Sequence, residues 1–193
     1  MRIFLSTFFL LTLFNCVSIK EEIRSPKDDI YSKHIKSCTG RGSISSVGNF
    51  SGRLSFNFIS QNDSSFCQFQ DFLGRKVLLL WLTENSIDAW NLIENKKYSH
   101  SNISEIIPIL SVLNPNHLIK FLWGKEITSN QISVPSQVNI EVKLGKRNQS
   151  NTIIDEATFI DKSNRQELSI KIDSRVFNQK KINLKKYWKI ILS

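Results

Sequence analysis

Residues 67–82 read CQFQDFLGRKVLLLWL. The first part alternates apolar with polar, the two-residue period of a strand with one wet face. "KVLLLWL" is apolar on both faces, so that strand is covered on both sides or lines an apolar hollow. The stretch therefore reads as two strands meeting at a turn. Such turns favour Asn-Gly or Asp-Gly, which tolerate positive φ. Here Phe72 and Leu73 enter the turn ahead of Gly74, placing two bulky apolar side chains where water is expected. Either the tip folds back onto the sheet edge, or it protrudes towards something apolar.

Working outward from the hairpin, the same period runs through "RGSISSV" and "FSGRLSFNFIS", with Leu54, Phe56 and Phe58 on one face. Gln61 to Ser64 is a turn signal. Downstream, "TENS" and "ENKK" read as turns around the strand "SIDAWNLI", and "KYSH" as a further short strand. The period then becomes helical. Ile103, Ile106, Ile107, Leu110 and Leu113 form one stripe, Asn102 and Glu105 have capping-box spacing, and Pro108 should kink or split the helix. A second short helix, "PNHLIKFLWG", opens near Pro115 and stops at Gly124. Its apolar residues run nearly all round, so it is expected to cover something apolar. Strands resume in "QISVPSQVNIEVKL", "NTIIDEATFID" and "QELSIKID", and "KINLKKYWKIIL" reads as a last one. Strands, a helical insert and more strands predict a mainly β (α+β) domain whose antiparallel sheet curls around the insert.

The chain has 193 residues, a net charge of +9 and a pI near 9.6. One domain of ordinary apolar content is expected. The basic residues are dispersed, which fits a solvated surface better than a nucleic-acid footprint. "MRIFLSTFFLLTLFNC" has Arg2, an apolar core too short to span a bilayer, and Cys16. "LFNC" has the position of a lipobox, although Phe14 and Asn15 are bulkier than usual there. The division is then a signal peptide over 1–15, a lipidated tether over 16–37 and a folded domain over 38–193, with covalent diacylglycerol and an N-acyl group on Cys16. Cys38 and Cys67 remain, able to pair in an oxidising compartment or to lie buried as small apolar side chains.

No catalytic signature is present: no HExxH, GxSxG, P-loop or GxGxxG, and the three histidines lack neighbours at metal-ligand spacing. The expectation is a protein that is not an enzyme and needs no metal or cofactor.

In order, "GRGSI", "DFLGRKVLLLWL", "AWNLIENKKYS" and "PNHLIKFLWG" resemble the LolB family of outer-membrane lipoprotein receptors, over roughly residues 39–126 and in the strand pattern after them. Pro115, Leu118, Leu122 and Gly124 match the family pattern. Phe58 and Phe121 stand where it has Trp, Phe72 where it has Pro, and Glu94 and Asn95 where its turn has Gly. The resemblance implies an incomplete antiparallel β-barrel, a half-barrel whose short helical insert covers an apolar cavity for acyl chains. That cavity would be lined by Leu54, Phe56, Phe58, Leu78 and Leu80 from the sheet. Ile106, Leu110, Leu118 and Leu122 would line it from the insert. If the barrel is instead filled, these are packing residues only. The resemblance further implies that Phe72, Leu73 and Gly74 form a membrane-insertion loop, with Leu73 in the protruding position. It implies a monomer anchored in the bacterial outer membrane and facing the periplasm. Such a protein would accept acylated lipoprotein cargo from a LolA-like carrier and insert it into outer-membrane lipid. An envelope adaptor with a packed barrel, or a lipid or glycolipid carrier, are the alternatives.

Overall fold

A computed structural model describes residues 34–48, 51–61, 63–105, 114–125, 140–146, 153–162 and 165–192. Cys16, most of the tether, Pro108, Ile106 and Leu110 lie outside the described residues. Among the described residues nine strands form one antiparallel sheet: β1 (Ser37–Val47), β2 (Gly52–Ser60), β3 (Ser64–Gln70), β4 (Lys76–Thr83), β5 (Ile87–Asn91), β6 (Lys96–Tyr98), β7 (Ile140–Lys146), β8 (Ile154–Asp161) and β9 (Gln166–Asn178). The spatial order is β6-β5-β4-β3-β2-β1-β9-β8-β7. The first six strands are a meander. The last three join it because β9 pairs along the whole length of β1, from Ser37↔Asn178 to Val47↔Glu167. β6 and β7 are the free edges, so the sheet is open, as expected for a half-barrel.

Helix α1 (Pro115–Leu122) packs on one face of this sheet. The Asn114 side chain accepts the Asn116 N–H at its start, and Pro115 sits where no amide donor is needed. Its end is a Schellman motif: Gly124 N–H donates to Phe121 O at 2.8 Å and Lys125 N–H to Lys120 O at 3.0 Å. Gly124 has φ +73°, and a Cβ there would lie 2.5 Å from Ile153. Leu118, Ile119, Phe121 and Leu122 are buried against Phe56, Phe58, Leu78, Leu80 and Leu82 in the main core. Each such side chain contributes about 1.5–3 kcal/mol by leaving water.

"GRGS" has a packing role that the sequence does not reveal. Gly40 faces Phe58 and Gly42 faces Phe56 across the β1–β2 ladder. A Cβ on Gly40 would fall 2.6 Å from the Phe58 ring and 2.2 Å from Ser174 O. The two glycines leave the space in which both rings lie over β1.

The doubly apolar strand is covered on both sides. Leu78, Leu80 and Leu82 face α1, while Leu79 and Trp81 join Phe66 and Leu184 in a second cluster on the opposite face. The cover there is the C-terminal segment. Ile182 and Tyr187 pack against that cluster, and the Tyr187 ring stacks on Phe66 at 5.2 Å. This corrects the reading of "KINLKKYWKIIL" as a strand: Lys185–Leu192 is helix α2. Leu184, Tyr187, Trp188 and Ile191 recur at helical spacing, and a short apolar run does not distinguish the two periods.

One smaller expectation also changes. Asn102 does not cap the next turn with its side chain, which accepts the Ser99 N–H at 2.7 Å, and Glu105 pairs with Lys96 instead. Only the 3-10 turn Ile103–Glu105 of the first predicted helix falls within the described residues.

Candidate functional site

The β3–β4 turn is held by Asp71. Its Oδ1 accepts the N–H groups of Leu73 at 2.9 Å and Arg75 at 3.0 Å, and its Oδ2 pairs with Arg75 at 2.7 Å. Desolvation works against the Asp71 carboxylate. The hydrogen bonds from the Arg75 side chain and from the backbone of Arg75 and Leu73 outweigh it and hold its pKa below the usual value. Gly74 supplies the positive φ, at +77°, that closes the turn. On this pedestal Phe72 is 90% exposed and Leu73 63%. The tip does not fold back on the sheet edge.

On the sheet face under α1 lies a second feature, a pocket of about 40 Å³. Phe56, Leu80, Leu118 and Leu122, all predicted cavity residues, line it. Ile44, Cys67, Phe69, Leu82, Phe121 and Ile170 line it too and were not singled out in the sequence. Of these, Cys67, Phe69 and Leu82 keep step with neighbours on the inward face of their strands, so strict alternation would have found them. Phe58 and Leu78 are buried in the same core without lining this pocket, and Leu54 packs at its margin. A cavity of about 150 Å³ accommodates one benzene, so an acyl chain needs far more room than this pocket has.

The C-terminal end of α1 is fastened by Arg175. Its Nε donates to Leu122 O at 2.8 Å, and its second terminal nitrogen donates to Phe121 O at 2.9 Å and Ile154 O at 2.7 Å. The remaining nitrogen pairs with Asp155. The last-turn carbonyls thus gain a charged donor: Leu122 O from Nε, and Phe121 O as a second partner beside the Gly124 N–H. No sequence signal points to Arg175, because β9 changes phase. Leu168, Ile170 and Ile172 face inward, then the β1–β9 register shifts past Asp173, and Arg175 becomes the inward residue. Nearby, Trp123 Nε1 donates to Ser60 Oγ at 2.8 Å, and Ser60 shares a 2.6 Å hydrogen bond with Ser65.

Both described cysteines are free and buried. Burial pushes each thiol up to about 12; for Cys38 the nearby Arg175 charge partly opposes this. They behave as small apolar side chains, one of the two roles the sequence left open. His117 on α1 is buried with its Nδ1 unpaired, and its pKa is lowered by desolvation and by Lys120.

No protein-family model matches the chain, and no curated protein matches it. The resemblance to the LolB family rests on the sequence fragments alone. Among solved structures, a DUF1329 family protein from Desulfovibrio piger ATCC 29098 is similar at a TM-score of 0.41 and 8% sequence identity, over 78% of this chain and 89% of that one. That likeness is too distant to carry an argument.

Proposed function

We propose that this is a lipid-anchored envelope protein that takes an acyl chain of a lipoprotein under α1 and passes it to the outer membrane, with Phe72 and Leu73 touching the bilayer. The observation that carries the reading is the hairpin tip, where two large apolar side chains stand in water on a turn held by four Asp71 contacts. Apolar side chains held out in this way suit the boundary between head groups and acyl chains. Each stands to gain on the order of 1.5–3 kcal/mol when fully transferred from water. The pocket under α1 is almost wholly apolar, as an acyl site requires. Its size means that α1 must lift for cargo to enter. Arg175 holds the C-terminal end of the helix, so opening starts at the Pro115 end. Cargo would come from a LolA-like periplasmic carrier and move by transfer between binding sites, without covalent chemistry.

A second reading has its own observation. The pocket under α1 has about 40 Å³ free, which suits an envelope adaptor of the same architecture that binds a protein partner. Native mass spectrometry of the full chain, offered an acylated peptide in excess, separates the two. One acyl chain bound per protein supports the carrier. None bound sinks the carrier and favours the adaptor. In the carrier, Leu73→Glu should leave acyl binding intact and stop delivery to vesicles; normal delivery by this variant would remove the hairpin from the mechanism.

A further inference from the structure

In the β1–β6 meander the turns alternate between two ends of the sheet. The β1–β2, β3–β4 and β5–β6 turns share one end; the β2–β3 and β4–β5 turns share the other. Among the described residues five large apolar side chains are exposed: Val47, Phe72, Leu73, Ile93 and Val176. The first four stand at the first end, at the close of β1 and in the β3–β4 and β5–β6 turns. The opposite turns carry Asp63 and Glu84, with no exposed large apolar side chain among the described residues.

The β3–β4 and β5–β6 turns also share a plan. In one, Asp71 Oδ1 accepts the Leu73 N–H at 2.9 Å; in the other, Asn91 Oδ1 accepts the Ile93 N–H at 3.0 Å. Leu73 and Ile93 are the exposed apolar residues at that position, 63% and 73% exposed. A positive-φ residue follows in each, Gly74 at +77° and Asn95 at +52°. Two basic residues come next, at the start of the following strand or just before it: Arg75 and Lys76 in the first hairpin, Lys96 and Lys97 in the second. Arg75 is braced by Asp71 and Lys96 by Glu105, while Lys97 lies over the Trp90 ring at 5.2 Å. The two hairpins are neighbours through β4 and β5, so their tips stand roughly 10 Å apart, two inter-strand spacings.

From this juxtaposition we infer that the β5–β6 turn is a second membrane foot: Ile93 docks beside Phe72 and Leu73 on a bilayer containing anionic lipid, with Lys76, Lys96, Lys97 and Arg75 as a cationic collar at head-group level. The inference rests on the reading of the Phe72–Leu73 hairpin as a bilayer contact and extends it from one loop to one end of the sheet. Apolar tips over paired basic residues match the depth profile of an anionic interface, apolar below and negative above. Two feet also fix an orientation that one leaves free. The β strands then stand on the membrane with the Asp63 and Glu84 turns pointing away.

The test uses the full chain with Cys16→Ser and one added cysteine, Ile93→Cys, Phe72→Cys or Glu84→Cys, carrying an environment-sensitive fluorophore. Cys38 and Cys67 are buried and protonated at labelling pH. The chains are mixed with vesicles of phosphatidylcholine with or without phosphatidylglycerol. The label at 93 should shift to the blue on phosphatidylglycerol vesicles and be quenched by brominated acyl chains. The label at 84 should do neither, which also controls for tethering by the N-terminal segment. If 93 stays water-like while 72 shifts, the second foot is wrong and the hairpin reading stands. If neither shifts, both fall; if 93 and 84 shift alike, there is no docking end. Lys76→Gln and Lys97→Gln should each weaken binding to phosphatidylglycerol vesicles about fivefold, with no change on phosphatidylcholine alone. Equal effects on both vesicles would remove the cationic collar.

Discussion

Arg175 and Phe72 stand toward opposite ends of the same sheet and have opposite surroundings. Arg175 is 7% exposed, with its guanidinium bonded to three backbone carbonyls and to Asp155. Phe72 is 90% exposed, on a turn whose hydrogen bonds hold the backbone and leave the side chain to water. At the same end of the sheet as Arg175 lie the Trp123–Ser60–Ser65 hydrogen bonds and the tie from Gln61 to Ile182. Around Phe72 are other exposed apolar tips and basic residues. The difference teaches where the molecule is held together and where it is available. Buried polar groups tolerate little change, because each leaves an unsatisfied partner when removed. An exposed apolar tip contributes little to folding, because its side chain leaves little water behind when the chain folds.

The comparison can be broken by stability measurements along the sheet. The largest effect is expected at Arg175. Arg175→Met removes the buried guanidinium that bonds Asp155 and three carbonyls and should cost about 3–5 kcal/mol in urea unfolding. A loss below 1 kcal/mol would mean that the fastened end is not fastened by this residue. Gly40→Ala comes next, since its Cβ meets Ser174 O and the Phe58 ring; about 1–3 kcal/mol is expected. A neutral result would show that β1 shifts to make room.

A smaller, pH-dependent effect is expected on α1. The folded chain holds His117 at a pKa below its ordinary value, so the unfolded chain binds the extra proton first as pH falls. That part of the stability is complete above the ordinary histidine pKa and is lost as pH falls towards the lower folded value. Between pH 7 and pH 5 the native chain should therefore lose stability, and His117→Leu should flatten the slope. An unchanged slope in that variant would assign the pH dependence to other groups. The smallest effect belongs to the exposed end: Leu73→Glu should alter stability by no more than about 0.5 kcal/mol while abolishing any bilayer contact of the tip. A large destabilisation there would erase the contrast between the two ends.

How much was legible in the sequence follows from the range of each interaction. The meander was readable because alternation and turn chemistry act over a few residues, as in "SSFCQFQDF" or the Asn95 turn with its φ of +52°. The end of α1 was readable from Gly124 for the same reason. The exposed Phe72–Leu73 tip was visible as an anomaly, although its direction was not. The apolar pocket was half legible: Phe56, Leu80, Leu118 and Leu122 were expected, while Ile44 and Ile170 join it from strands distant in the chain.

By itself, then, the sequence determined a mainly β chain with a short apolar helix inserted between strand groups, since periods of two and 3.6 residues are local properties. Tertiary structure alone decided three things. It set β9 against β1, a pairing of residues more than a hundred positions apart. It turned Arg175 inward, because a register shift past Asp173 reverses which side chains face the core. And it made the C-terminal segment a helix over the outer face of β4, where Leu184 and Tyr187 find Phe66, Leu79 and Trp81 to cover. In each case the deciding energy is packing or hydrogen bonding between distant segments, which no local pattern encodes.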